Sequence, residues 1–150
     1  MEIKFTKPTV YMSHSIAGDS GDHLNNCQNA QALQRKLEKL YPEIKWYCPG
    51  RVNLIIDILV EHKALSYEQI INADLEILRQ CHGWFWWYTS PSKGCRDEEH
   101  EAGEVFCDEY GDDAEDNIIT VDLLKANVQD TRRIMQPIVD AAVKRFRERN

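Results

Sequence analysis

Apolar and polar positions along the chain alternate between short strand-like runs and longer stretches with helical spacing. The most apolar run, Gly83 to Thr89 (GWFWWYT), predicts a buried strand. Pro8 to Ser13 (PTVYMS), Ile44 to Cys48 (IKWYC) and Asn117 to Val121 (NIITV) predict three more. A helix is expected from about Asn26, with Cys27, Ala30, Leu33, Leu37 and Leu40 on one side, until Pro42 stops it. Ser66 and Gln69 have capping-box spacing and open a second helix, whose stripe is Tyr67, Ile70, Ile71, Leu75, Ile77, Leu78 and Cys81. Val52 to Val60 is too apolar for a loop and predicts a short helix. The last helix is expected from Thr131 to Arg149, with Met135, Ile138, Val139, Ala142, Val143 and Phe146 facing inward and its Arg and Lys residues on the far face. Pro137 should kink this helix or mark its start.

Strands alternating with helices predict an α/β fold, a flavodoxin-like (Rossmann-like) open parallel sheet of four or five strands with helices on both faces. The 150 residues make one domain, without repeats, low-complexity tracts or a linker. In such a sheet the ends of strands one and three converge on a crevice, where ligands bind. Beyond the GWFWWYT strand, Ser90-Pro91-Ser92-Lys93-Gly94 reads as a turn, followed from Cys95 by an acidic helix whose first amide groups point back over that turn and favour an anion.

Two carboxylates stand out against this frame. On the acidic helix, Cys95, Ala102, Val105 and Phe106 share a stripe while Asp97, His100 and Glu101 fall on the solvated side. Glu98 lies within roughly 40° of the stripe centre and Glu99 about 60° away on the other flank. Glu98 is therefore a capping charge or a catalytic group. Asp74 sits near the middle of the preceding helix's apolar stripe, where an unpaired carboxylate costs several kcal/mol or shifts its pKa. It is a partner-satisfied core residue or a functional one. Trp84, Trp86 and Trp87 read as core, and Tyr88 at the strand end is the better stacking surface for a base. The charged stretch Asp108 to Asp116 reads as a solvated loop, lacking the ligand spacing of a calcium site.

The net charge of −7 argues against a nucleic-acid polymer as partner and leaves room for a small anion held locally. Five cysteines without a CxxC pair suggest neither a disulfide framework nor a zinc site, and no metal or cofactor is expected. The absence of a signal peptide or long apolar run makes a cytoplasmic location the expectation, with no membrane partner.

The order and spacing of several motifs between residues 8 and 106 resemble a known family. VYMSHSIAG, Asn26 and Ala30, DLEILRQC ahead of the apolar strand, and Ser92, Gly94, Glu98 and Ala102 in the pattern SxGxxxExxxA are similar to the nucleoside 2-deoxyribosyltransferase superfamily, including its phage-type members and the 2'-deoxynucleoside 5'-monophosphate N-glycosidases. The resemblance implies cleavage of a base–sugar bond, with Glu98 attacking the anomeric carbon, Tyr11 orienting it and Asp74 assisting at the base or sugar. It implies a homo-oligomer, dimeric or larger, and a nucleotide or nucleoside as the small-molecule partner. Ser13, His14, Ser15, Ile16, Gly18 and Asn26 join Tyr88, Ser90, Ser92, Lys93 and Gly94 as expected substrate-binding residues.

The residues themselves suit that chemistry. A fixed carboxylate stabilises and can trap an oxocarbenium-like centre. Ser90, Ser92, Lys93 and Gly94 offer hydroxyl, ammonium and amide donors to a phosphate, with no acidic residue between Tyr88 and Arg96 to repel it. The chain departs from the family at two positions: His14 stands where glycine is usual, narrowing the sugar pocket, and Ala17 stands where the nucleotide-cleaving members have arginine. Hydrolysis of a 5'-monophosphate is the leading expectation. Base exchange and non-catalytic nucleotide binding on the same fold are the alternatives.

Overall fold

The computed structural model describes residues 1–15, 22–49, 58–107 and 114–149. Four strands form one parallel sheet: β1 (Thr9–His14), β2 (Lys45–Tyr47), β3 (Gly83–Trp87) and β4 (Ile118–Ile119). Between and after them run helices α1 (His23–Leu40), α2 (Tyr67–Gln80), α3 (Lys93–Ala102) and α4 (Val128–Arg149). The spatial order β2-β1-β3-β4 is that of a flavodoxin-like open sheet. The chain reverses its direction of build-out at β1, so β1 and β3 lie side by side with Val10 opposite Gly83 and His14 opposite Trp87.

Period-two alternation divides the side chains between two cores. Val10, Met12, Phe85 and Trp87 pack with Ala30, Leu33 and Leu37 of α1 and with Met135, Ile138, Val139 and Ala142 of α4. On the other face, Tyr11, Trp84 and Trp86 pack with Leu78 of α2 and with Cys95 and Ala102 of α3. The three tryptophans of β3 are core, as the sequence predicts. Gly83 has a packing reason: a Cβ there would lie 3.2 Å from the Ala142 side chain and 3.3 Å from Val10, so α4 can approach β3 only without one.

Helix ends follow local capping. Ser66 and Gln69 form the reciprocal capping box of α2, with Gln69 N–H donating to Ser66 Oγ at 3.1 Å and Ser66 N–H to Gln69 Oε1 at 2.8 Å. Asp22 caps α1 by accepting from Asn25 N–H at 3.1 Å, so that helix begins three residues before Asn26. Ser92 caps α3, which starts at Lys93 rather than Cys95. Residues 58–61 are helical, and the remainder of the short helix expected over 52–60 lies outside the described residues. The same holds for 108–113 of the acidic stretch; Ala114–Asn117 at its end form a 3-10 turn. Beyond Ala102 the acidic helix widens into a π turn over Gly103–Cys107.

Several expectations fail on the charged faces. Of the arginines expected on the far side of the last helix, Arg145 is buried, donating from Nη1 to His82 O at 3.1 Å and from Nη2 to Phe106 O at 3.2 Å, with its guanidinium 4.5 Å from the Phe106 ring centre. Arg149 Nη1 reaches Cys81 O at 2.9 Å. These carbonyls at the β3 entrance and the α3 exit lack sheet partners, and a long cationic side chain is the donor that can reach them. Helix α4 begins at Val128, and Pro137 lies inside it. On α3, Asp97 and Glu101 are half-buried rather than solvated, because α2 packs alongside and Arg79 binds Glu101. Strands β2 and β4 are shorter than predicted, β4 pairing only with Trp86 and Trp87. Among the described residues, no helix is long and apolar enough to cross a membrane.

Candidate functional site

The fold brings Tyr11, Ser13, Glu98 and Asp74 together on the α2/α3 face of the sheet, at the β1–β3 switch point. Alternation along β1 presents Tyr11 and Ser13 to this face. From the second turn of α3, Glu98 turns inward and is 5% exposed. The Tyr11 hydroxyl donates to Glu98 Oε2, and the Ser13 hydroxyl is a second hydrogen-bond partner. Ser13 in turn accepts from the Trp84 indole N–H at 2.7 Å. Glu99, one residue on, is half-buried and pairs with Arg96 at 2.9 Å. Glu98 is the deeper of the two adjacent glutamates, the direction in which its slightly smaller angle from the stripe points.

Burial without a cation sets the electrostatics. Neither Glu98 nor Asp74 is paired with a lysine or arginine among the described residues. Burial pushes the Glu98 carboxyl up to about 8; the hydrogen bonds from Tyr11 and Ser13 oppose this, and the charge of Asp74 adds to it. Asp74 on α2 is half-buried, and burial raises its carboxyl to about 6. The Tyr11 phenol is held well above its ordinary range by burial and then by the two carboxylates, which keeps it a hydrogen-bond donor.

The turn after β3 and the loop after β1 meet through their serines. Ser90 Oγ donates to Ser15 Oγ at 3.1 Å, and Ser15 is buried. Ser92 accepts from Cys95 N–H at 3.3 Å and is also a hydrogen-bond partner of the Cys95 thiol. Lys93 lies with its ammonium 5.6 Å from the Tyr67 ring centre. Gly94 has a packing role beside its expected binding one, since a Cβ there would lie 3.2 Å from Tyr67 Oη. Tyr88 is half-buried, its ring 4.9 Å from that of Trp86, whose other neighbour is the Arg96 guanidinium at 4.9 Å.

Two expected binding residues lie apart from Glu98. His14 is at the same strand end but on the opposite face, its ring 4.9 Å from Trp87 and its Nε2 3.5 Å from Thr89 Oγ1. Burial lowers it to about 4, so it is neutral at physiological pH. Asn26 belongs to the first turn of α1, on the His14 side of the sheet, where its backbone N–H donates to Asp22 O at 3.0 Å. Ile16 and Gly18 lie outside the described residues.

Sequence reasoning missed Tyr47 and Tyr67. In β2, Tyr47 pairs in register with Tyr11, and the two rings are 5.3 Å apart. Burial raises its phenol, with Asp74 and Glu98 contributing. Tyr67, the one aromatic on the expected stripe, opens α2 and is 47% exposed. For Tyr47 the strand pattern carried no such signal, because its nearness to Tyr11 depends on the order β2-β1; for Tyr67 the signal was a large aromatic at a helix start.

No protein-family model, curated protein or solved structure matches this chain. Among the described residues, no three His, Cys, Asp or Glu side chains converge as they would on a metal ion. What the site offers is a buried carboxylate held by two hydroxyls, a second carboxylate nearby, tyrosine rings, and a serine pair at the end of β1.

Proposed function

We propose that the protein is an N-glycosidase that cleaves the base–sugar bond of a nucleoside 5'-monophosphate, with Glu98 as nucleophile. The observation that carries this reading is the buried hydrogen bond from Tyr11 to Glu98 at the switch point of the sheet. It holds one carboxylate oxygen still and leaves the other to approach a sugar carbon. A nucleophile placed this way gains most of its advantage from fixed position.

In the reaction, ionised Glu98 attacks the anomeric carbon as the C–N bond breaks, and the base leaves with the bonding pair. Water then attacks the glycosyl ester, its proton is released, and Glu98 returns as carboxylate. Positive charge develops on the sugar ring between two carboxylates that have no cation of their own, so their interaction with the sugar strengthens toward the transition state. Asp74 takes hydrogen bonds from the base or sugar. Ser15 and Ser90, with the amides at the start of α3, supply donors for the phosphate.

The test is to incubate the protein with a panel of nucleosides and their 5'-monophosphates and to measure free base. The monophosphate is expected to have the higher kcat/KM by about a hundredfold or more, from two or three charge-assisted hydrogen bonds. Equal values, or a preference for the nucleoside, would place the activity with the deoxyribosyltransferases, and adding a second base to the reaction would then yield a new nucleoside. Release of no base from any substrate would leave nucleotide binding without catalysis.

A further inference from the structure

We infer that His14 is a specificity-determining residue that donates a hydrogen bond from Nδ1 to the substrate's phosphate, from the face of the sheet opposite Glu98. The inference rests on the N-glycosidase reading and adds a donor to the phosphate end of that site.

His14 is the last residue of β1 and is 8% exposed, yet its Nδ1 is buried without a hydrogen-bond partner among the described residues. Buried polar atoms are nearly always paired, so an orphan at the mouth of a crevice calls for a partner that arrives from outside. Packing against Trp87, with ring centres 4.9 Å apart, holds the imidazole in place. Its other nitrogen, Nε2, lies 3.5 Å from Thr89 Oγ1. When the Thr89 hydroxyl donates to Nε2, the ring's own hydrogen is on Nδ1 and that atom is a donor. Burial keeps the ring neutral at physiological pH, and a neutral imidazole has one N–H to give.

The surroundings of His14 select an anion. His14 with Thr89 and Ser15 with Ser90 are successive contacts between the chain leaving β1 and the chain leaving β3. Side chains alternate along a strand, so His14 and Ser15 leave the backbone on opposite sides. Beyond the last paired residues, His14 and Trp87, the sheet no longer separates its two faces, and a small group seated there can touch both side chains. The Nδ1 hydrogen and the two serine hydroxyls then meet one group from two sides. A phosphate dianion, with several acceptor oxygens and no hydrogen to donate, suits that set of donors. The spacing agrees with the reacting end of the site. Glu98 is bonded to Ser13, and Ser15 lies two residues further on, about 7 Å along an extended chain. That is comparable to the separation of the anomeric carbon from the phosphate in a nucleoside 5'-monophosphate.

The test uses Glu98→Gln, which is expected to bind without turning over, titrated by calorimetry with a deoxynucleoside and separately with its 5'-monophosphate. Adding His14→Phe keeps a ring against Trp87 and removes both nitrogens. It should weaken the monophosphate by roughly ten- to a hundredfold, the range for a hydrogen bond to a charged group, and leave the nucleoside unchanged. His14→Asn, whose amide nitrogen can take the place of Nδ1, should keep most of the preference for the monophosphate, whereas His14→Gln, whose amide reaches toward Nε2, should lose it. Melting curves check that each variant is folded, and the comparison of Asn with Gln stands by itself if His14→Phe does not fold. Unchanged monophosphate affinity in His14→Phe overturns the inference and leaves the glycosidase reading in place. So does equal weakening of both ligands, which would mean that His14 only shapes the crevice. A loss in His14→Asn as large as in His14→Gln overturns the assignment to Nδ1. If Glu98→Gln alone binds the two ligands equally, the inference falls together with the 5'-monophosphate as substrate.

Discussion

The Trp84 indole donates to Ser13 Oγ at 2.7 Å, which occupies an acceptor site on that oxygen and directs the Ser13 hydrogen to Glu98. A tryptophan on β3 thereby fixes the rotor of a serine on β1, and the serine steadies a carboxylate on α3. Ser13 and Tyr11 both favour the ionised form of Glu98 against the effect of burial. As nucleophile, Glu98 must be ionised, so kcat/KM should rise with pH and level off above about 8. In Ser13→Ala the rise should move to higher pH, and in Tyr11→Phe it should move further. A profile that instead falls above pH 8 would make Glu98 a general acid.

Glu98 and Glu99 should separate in function. Glu98→Ala is expected to lower kcat by on the order of 10³ or more, whereas Glu99→Ala, which breaks a part-exposed pair with Arg96, should keep most of the activity. Stability should move the opposite way. A carboxyl whose folded pKa is raised to about 8 binds its proton more tightly folded than unfolded, so its contribution is full below the ordinary value of 4.5 and is lost as pH climbs through 8. Glu98→Gln should therefore melt above the parent, and by more at pH 8.5 than at pH 5; a gain of about 1 kcal/mol would appear as roughly 2–4 °C in Tm.

Asp74→Asn tests the second carboxylate by keeping its shape and removing its charge. The folded carboxyl is raised from 3.8 to about 6, so its stabilising contribution is lost as pH rises through that window, and Asn should leave Tm unchanged or higher at pH 7. Catalysis should drop by about a hundredfold or more, within the range for loss of a group acting at the transition state. A large fall in Tm with normal turnover would assign Asp74 to the core instead.

Most of the fold was legible because it rests on local pattern. The run from Gly83 to Trp87 could be buried on both faces only in a parallel sheet, and the Ser66–Gln69 box marked its helix start to the residue. Angle favoured Glu98 over Glu99 only slightly, and the spacing of Glu98 to Ala102 completed the choice; the helix buries Glu98 and leaves Glu99 half-buried against Arg96. What periodicity does not encode is which element lies across from which. Tyr47 needed the order β2-β1 to be placed beside Tyr11, and His14 needed the parity of β1 to be placed away from Glu98. Arg145 was misread for the same reason: its partners are two backbone carbonyls from distant elements, invisible in a helical wheel.

Arg145→Met should be among the more damaging substitutions on α4. It keeps the apolar stem but removes the donors to His82 O and Phe106 O, leaving buried acceptors unmet, for roughly 2–4 kcal/mol. That corresponds to about 5–15 °C in Tm for a chain of this size. Arg147→Met, on the exposed side of the same helix, should change Tm by little. Thermal denaturation of the two variants side by side measures the difference.

The pairing of β1 with β3 sets how the protein reaches its working state. Val10 meets Gly83 and Tyr11 meets Glu98 only after the chain has closed loops of more than seventy residues, and among the described residues every strand pair is parallel, with no hairpin to bring the strands together early. Folding of such topologies is slow, because loop-closure entropy is lost before the long-range contacts form. The helices can form locally, while the carboxylate and its tyrosine, carried by separate parts of the chain, meet late. During refolding, helical signal should therefore recover ahead of the quenching and burial of Trp84 and Trp86, and competence to bind a nucleotide should return with the tryptophans rather than with the helices.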